Sequence, residues 1–338
     1  MTKIAILSDT HIGYSKGSER YTEHFKRFYD DVFFPYLEDN GIEHIAHGGD
    51  LFDNRKTLNI AAVTEAREYL FDRLKPYNVK VVLGNHDTVY RDTLSVNSPT
   101  LFLDDDVLVT KPESWLGVDL IPWINEENDV EIMDFIKSTN NSVCLGHFDL
   151  AGFYMNKGVR SHYKSRPTEI FNPYTKVFSG HFHTRSDDEH IYYIGAPYEM
   201  TWADYDDPRG FVVYDTDTGD HEYVNNPHTL FQQVVYDNGI DEVPKDKIVK
   251  MIVKSRDDYD LFDITVRELN DASIDLKIVE LTPDVSMTED DLNDFEVIDT
   301  LAYLKGWVDR FDDELHSVDD KRAMNDILGE IYNGALTL

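Results

Sequence analysis

The sequence predicts an α/β fold: a β-sandwich flanked by helices, followed by a small α+β cap unit and a C-terminal helical tail. Three observations carry this expectation. Short apolar runs (KIAIL, HIAH, KVVL, SVCLG, KVFSG, IYYIG, GFVVYD and EYV) recur through residues 1–225, bounded by Gly, Asp or Asn as strands are. Helical periodicity fills the early gaps between them and then gives way to consecutive strands, the order expected of a sandwich with an antiparallel portion. Near residue 226 the pattern changes again, at the turn signal Asn225-Asn226-Pro227.

The elements follow in order. A helix is predicted over 21–37, where Phe25, Phe28, Tyr29, Val32, Phe33 and Tyr36 fall near a 3.6-residue period. Another is predicted over 60–74, carried by Val63, Ala66, Tyr69, Leu70 and Leu74. Beyond the turn come a strand at 231–236, a strand at 247–254, a helix at 258–269 and a strand at 275–281, a small β-α-β unit. After an acidic stretch at 282–294, two amphipathic helices close the chain. The first carries Val297, Leu301, Leu304, Val308 and Phe311 on one face; the second carries Met324, Ile327, Leu328 and Ile331, with Ser317 and Asp320 as a capping box. The expected domains are 1–225, 226–283 and 284–338.

Composition narrows the class. With 338 residues, 41% of them hydrophobic, the chain is globular and long enough for two or three domains. Its single cysteine, Cys144, excludes an intrachain disulfide and suits a reducing cytosol; its apolar surroundings predict a packed, inert thiol. Residues 1–3 run straight into an apolar stretch, so no signal peptide is expected, and no apolar run approaches the ~20 residues of a membrane span. The net charge is −33, with 34 acidic against 21 basic residues in 1–214 and 31 against 11 in 215–338. Nucleic-acid binders carry a basic footprint, so this balance argues against tight unaided DNA binding and for cations or a basic partner at any such surface.

Five apolar runs end in metal-ligating residues: Asp9 and His11 in SDTH, Asp50 in GGD, Asn85 and His86 in GNHD, His147 in LGH, and His181 and His183 in GHFH. Each lies where a strand would end, so the loops converge on one edge of the sandwich, where α/β folds place ligands. Gly48, Gly49, Gly84, Gly146 and Gly180 precede them and permit close approach. A mixed set of imidazole, carboxylate and amide ligands fits Mn, Fe or Zn better than Ca or Mg. Two such ions about 3.5–4 Å apart neutralise a phosphate ester and clamp its attacking and leaving oxygens. The remaining histidines, His24 and His47 among them, match no motif and are read as ordinary.

This series of motifs resembles the calcineurin-like metallophosphoesterases. The GDLFD form at 49–53 and the GHFH ending are similar to the SbcD/Mre-type DNA-repair nucleases. The IPW at 121–123, the GHFDLAGFY at 146–154 and the DPRGF at 207–211 are similar to the small nuclease subunits of tailed-phage recombination endonucleases. The resemblance implies a metallophosphoesterase β-sandwich holding two Mn²⁺, with Mg²⁺, Fe or Zn as substitutes in vitro. Asp9, His11, Asp50 and His183 would hold the first ion, and Asp50, Asn85, His147 and His181 the second, with Asp50 bridging. His86 would act on the scissile phosphate and leaving oxygen, oriented by Asp53. The activity implied is 3′-to-5′ exonuclease and single-strand endonuclease cleavage of DNA in recombination and double-strand-break processing, in the cytoplasm (the host's, for a phage protein). The partners implied are DNA, an SbcC-like coiled-coil ATPase and a second copy of the chain, in a heterotetramer, with the helices at 21–37 and 60–74 at the dimer interface. Two alternatives stay open: a phosphodiesterase or phosphatase acting on a non-DNA substrate, and a chain that chiefly scaffolds or regulates the ATPase.

Two further surfaces are candidates. Lys157, Arg160, Lys164 and Arg166, interleaved with Tyr154 and Tyr163, form the densest basic–aromatic stretch, and Arg55 and Lys56 follow GDLFD closely; both are DNA-contact candidates. The tail stripes, represented by Leu301, Leu304, Val308, Phe311, Ile327 and Leu328, have no core of their own and predict the ATPase-binding surface.

Overall fold

Strand β1 (Lys3–Leu7) shows how the architecture is specified. Ile4 and Ile6 point into the space between two sheets, while Ala5 and Leu7 point to a helical layer, the alternation a strand imposes. The computed structural model describes residues 2–157, 159–161 and 165–280, together with Met324. The chain divides into two compact units, Met1–Val279 and Glu280–Leu338. The tail residues Leu301, Leu304, Val308, Phe311, Ile327 and Leu328 lie outside the described residues.

In the first sheet β1 pairs in parallel with β2 (His44–His47), and β2 with β3 (Asn78–Val82). On its other edge β1 pairs antiparallel with Gly210–Asp215, beyond which lies His221–Asn225. In the second sheet β4 (Val143–His147) and β5 (Lys176–Gly180) are parallel neighbours. Ile4, Ile6, Val82, Val143, Leu145, Phe178 and Val212 fill the gap between the sheets. The outer face of the first sheet is covered by the two predicted helices, and that of the second by Asp129–Ser138.

Both covering helices contain a π turn that periodicity did not signal. Glu19–Phe28 passes through Tyr29–Phe33 into Phe34–Asn40, and Ile60–Ala66 passes through Arg67–Phe71 into Asp72–Leu74. Pro35 opens the last segment of the first helix; it has no N–H to donate back into the preceding turn, and the widened turn lies just where that bond would be missing. Tyr29 and Tyr69, one from each π turn, stack at 5.3 Å. Phe25, Phe28, Tyr29, Phe33, Phe34 and Leu37 are all buried in this core. The apolar face of the first helix is therefore packed into this core.

The unit after 226 has its own sheet, ordered Phe231–Asp237, Ile248–Ser255, Asp275–Glu280, with the helix Tyr259–Ala272 and its own apolar cluster of Tyr236, Val249, Met251, Val253 and Leu269. Asp258 caps that helix by accepting the Leu261 N–H at 3.0 Å. The first two strands are parallel, and Ile240 and Val243 from the segment joining them pack on the same apolar cluster.

Candidate metal centre

The loops that follow β1 and β2 are joined strand to strand past the end of the sheet. Leu7 accepts the Gly48 N–H at 2.8 Å, Gly49 the Asp9 N–H at 2.9 Å, Asp50 the His11 N–H at 3.1 Å and Leu51 the Ile12 N–H at 2.9 Å. Asp9, His11 and Asp50 all sit in the left-handed region, with φ of 54°, 43° and 55°. That conformation costs a non-glycine residue about 1–2 kcal/mol, so the surrounding hydrogen bonds must hold it.

Four further side chains supply that hold. Asp87, buried, accepts the N–H groups of Leu51, Phe52 and Gly84 at 2.9, 3.2 and 2.9 Å, pinning the second motif loop to the third. His47 accepts the Gly49 N–H on Nδ1 at 3.1 Å, so its Nε2 carries the proton and donates to the Thr10 hydroxyl at 3.0 Å. Thr10 in turn donates to the Leu51 carbonyl at 3.2 Å. His47 is thus not an ordinary histidine; its signal was its place directly before Gly-Gly-Asp. Tyr198, also buried, donates to the Thr10 carbonyl at 2.5 Å.

The expected ligands form two groups, each within 4.8 Å: Asp9, His11 and His183 in one, Asp50, His147 and His181 in the other; a third such group, His11, Asp53 and His86, adjoins them. Asp50 Oδ2 lies 3.9 Å from His11 Nε2 and 3.4 Å from His147 Nε2, between the two. Asn85 Oδ1 lies 3.0 Å from His147 Nε2 and 2.9 Å from His181 Nδ1. The Asp9 carboxylate accepts the His181 N–H at 3.1 Å, which ties the first loop to the fifth. All seven residues expected as ligands are therefore brought together. Trp123, of the IPW stretch, walls the second group, its ring 5.9 Å from His147 and 5.4 Å from His181; sequence reading had noted it without a role.

The electrostatics of the protein groups fit a cation. Burial keeps His11 well below its usual range and lowers His181 and His183 to about 3, so these imidazoles are neutral donors of a lone pair. Burial raises Asp9 to about 7, helped by the neighbouring Asp50. Burial also disfavours charge on Asp50, but His147, His11 and His86 outweigh it and hold that carboxyl below its usual range. His147 donates Nδ1–H to the Gly48 carbonyl at 2.8 Å, which leaves Nε2 facing the oxygens of Asp50 and Asn85. Burial opposes its charge, yet Asp50 raises His147 to about 9; a proton there does what a metal ion would do among those acceptors. His11 Nδ1 is buried without a hydrogen-bond partner, and the Nε2 atoms of His11 and His183 face each other at 3.1 Å.

His86 sits beside both groups, its ring 5.1 Å from His11 and its N–H donated to Asp50 Oδ1 at 2.7 Å. Its Nδ1 lies 2.6 Å from the main-chain carbonyl of Asp53, an oxygen that can only accept, so Nδ1 is protonated. Asp53 thus holds His86 through its backbone carbonyl, while its carboxylate lies 3.8 Å from His11 Nδ1 and within 4.8 Å of a His86 ring nitrogen; Phe52 and Asp53 are fixed by Asp87 and by the Asp53 N–H bond to Ile12.

The DNA-contact candidates divide. Arg55 lies close enough to the site to feel Asp50; burial and then the neighbouring Arg91 lower its pKa, a pairing sequence reading missed. Lys56 is exposed. Lys157 pairs with Asp206 at 3.7 Å, Arg166 with Asp129 at 2.6 Å, and Arg160 stacks over Tyr154 at 4.6 Å. Lys164 lies outside the described residues.

Comparison with known proteins agrees with this geometry. Residues 2–185 match the calcineurin-like phosphoesterase family. Exonuclease subunit 1 of Enterobacteria phage T4 is 34% identical over 243 residues, covering 69% of this chain and 70% of that protein. The DNA double-strand break repair protein Mre11 of Sulfurisphaera tokodaii is 28% identical over 204 residues, covering 54% of this chain and 49% of that protein, about half its length. A solved archaeal phosphodiesterase aligns over 67% of this chain and all of its own, with a TM-score of 0.32 and 13% identity.

Proposed function

Because the chain belongs to the calcineurin-like phosphoesterase family, metal-dependent enzymes that cleave phosphate esters, we propose that it is a DNA nuclease subunit acting in recombination and double-strand-break processing. The observation that carries this reading is the pair of ligand groups joined at Asp50 with His86 beside them. Asp9, His11, Asp50 and His183 would hold one ion, and Asp50, Asn85, His147 and His181 the other. The mixed nitrogen and oxygen donors suit Mn, Fe or Zn, and of these the family resemblance implies Mn²⁺. When bound, the ions supply charge neutralisation of the phosphate and a hydroxide at neutral pH.

The chain's own residues do the rest. His86, tied at Nδ1 to the Asp53 carbonyl, has Nε2 left for the substrate, from which the ring, when it carries a second proton as imidazolium, would donate to the leaving oxygen. Trp123 shields one side of the second group from water. Arg55 and Arg91, with Lys56, offer positive charge to the DNA backbone next to the site. The small sheet and helix after residue 226 are read as a DNA-recognition cap, and the tail as the seat of a coiled-coil ATPase. A homodimer forms through the helix at 60–74 and the segment Pro99–Leu101, where Ile60, Leu101 and Phe102 are exposed around a groove of about 980 Å³. The complex works in the cytoplasm, the host's in the case of a phage.

The decisive experiment is Mn²⁺-dependent cleavage of single- and double-stranded DNA with and without the ATPase. Cleavage should vanish on chelation and fall at least about 100-fold in His86→Ala, the usual worth of a positioned acid or base. Cleavage that survives either change would refute the mechanism. Hydrolysis of a generic phosphodiester with no DNA cleavage, even with the ATPase present, would move the substrate away from DNA.

A further inference from the structure

A continuous set of buried contacts runs from the seat of the small sheet to a metal ligand, and it passes through one side chain. At the near end, the Glu199 carboxylate accepts the N–H groups of Leu230 and Phe231 at 2.5 and 2.9 Å, where the first strand of the small sheet begins. Trp202 packs on the Phe231 ring at 4.8 Å, and the Lys250 ammonium lies 4.3 Å above Trp202. Asp204 closes this segment as a capping carboxylate: Oδ2 accepts the N–H groups of Met200 and Thr201 at 2.8 Å each. Its other oxygen, Oδ1, accepts from Arg209 Nη2 at 2.8 Å.

At the far end, Arg209 Nη1 donates to the main-chain carbonyl of His183. That carbonyl also accepts the Ala196 N–H at 3.0 Å. Asp207, accepting from Arg209 Nη2 at 2.7 Å, also accepts from the Thr184 hydroxyl at 3.0 Å and so grips the residue after His183. The arginine and Asp204 are 3% and 1% exposed, so their geometry is set by protein contacts and not by solvent. A guanidinium is suited to this place: it is planar, always charged and presents several donors in fixed directions, where a lysine ammonium offers one compact centre.

We propose that Arg209 is a positioning residue through which the seat of the small sheet sets the placement of His183, and with it the affinity of the metal position that His183 serves. The inference rests on the reading of His183 as a ligand. It carries a reciprocal consequence: if a firm seat tightens the metal at His183, metal there must steady the seat by the same factor. A nucleic acid or protein that presses on the small sheet thus acts on the metal centre without touching it.

The test uses the full-length chain and Mn²⁺ alone, comparing wild type with Arg209→Lys, which keeps the charge paired with Asp204 and Asp207. Two readouts are taken: stepwise Mn²⁺ affinity by calorimetry, and hydrogen exchange of peptides spanning 229–237. In wild type, Mn²⁺ should slow exchange at 229–237. In Arg209→Lys, one of the two binding steps should weaken about 10–100-fold, the usual cost of losing an outer-shell partner, while the other step stays within about twofold. The protection at 229–237 should be lost. A purely structural arginine would instead lower the unfolding midpoint and leave the ratio of the two steps unchanged, and that result would overturn the proposal. Glu199→Met guards against a variant that misfolds: it leaves Arg209 and His183 in place and should abolish the metal-induced protection at 229–237. Protection that persists in Glu199→Met would also overturn it. A wild-type chain that binds no Mn²⁺ would defeat the functional reading itself, whereas two-step binding in wild type and unchanged binding in Arg209→Lys would defeat this inference alone.

Discussion

Replacing Gly84 by alanine is the sharpest perturbation of the centre. A Cβ built on Gly84 would lie 2.3 Å from both the backbone nitrogen and Oδ1 of Asp50, and 3.0 Å from its Cγ. Ordinary contact begins at 3.4 Å, so loop three or Asp50 must retreat by 3.4 − 2.3, or 1.1 Å. Neither side can do so freely. Asp50 is already at φ 55°, its Oδ1 holds the His86 N–H at 2.7 Å, and its carbonyl holds the His11 N–H at 3.1 Å. Gly84 itself donates to Asp87 at 2.9 Å. Overpacking of this kind costs about 1–3 kcal/mol of stability, and a ~1 Å misplacement of a reacting group costs about 100-fold in rate. Phosphodiester hydrolysis at saturating Mn²⁺, together with urea unfolding, reads both numbers. Gly41→Ala is the control: φ is 61° but nothing lies within 4 Å, so it should cost about 1 kcal/mol of backbone strain and leave the rate unchanged. A Gly84→Ala protein that keeps its rate within about threefold would refute the claim that the loops approach this closely.

Two further outcomes are expected. His24 is buried with Nε2 unpartnered, and burial, reinforced by Lys247, lowers its pKa from 6.5 to about 3. The folded state therefore prefers the neutral ring, so the stability it contributes is present above pH 6.5 and is lost as pH falls from there toward 3. In chelated protein, His24→Phe should flatten the dependence of unfolding free energy on pH in that window by up to about 1.4 kcal/mol per pH unit; an unchanged slope would count against the assignment. Ile60→Glu places a charge on the exposed apolar face proposed for the dimer, and sedimentation should show a monomer with Mn²⁺ affinity intact; a dimer that persists would place the interface elsewhere.

The motif strands were legible because strands covered on both faces read as mainly apolar runs, and β1 to β5 do so up to their ligands, β3 being broken by Lys80 alone. The ligand set was legible because its residue types have few alternative uses in that order. What could not be read was the support. Asp87 accepts from, and Thr10 donates to, backbone groups 35 to 41 residues away, a relation with no local sequence signature. His47 looked ordinary because one of its two partners, Thr10, lies on another loop. Asp53 was read through the usual carboxylate–imidazole pairing; that the turn also presents its carbonyl to His86 has no signature in the sequence. The π turns escaped notice because one inserted residue per turn shifts an apolar stripe without erasing it, and aromatic residues at both Phe28 and Tyr29 satisfied either register.

The pairing of β1 with Gly210–Asp215 sets the order in which the chain can be completed during synthesis. All the proposed ligands have emerged once residue 183 is made, but the neighbour that covers the outer edge of β1 arrives some thirty residues later. Until then β1, with Asp9 at its tip, presents an open row of N–H and C=O groups, a template for pairing with another chain. The span that matches the family, 2–185, ends before this strand. A fragment cut at that boundary would carry every proposed ligand and still be prone to aggregate, so the smallest useful nuclease core extends at least through Asp215, and through Asn225 if the last edge strand is to be kept.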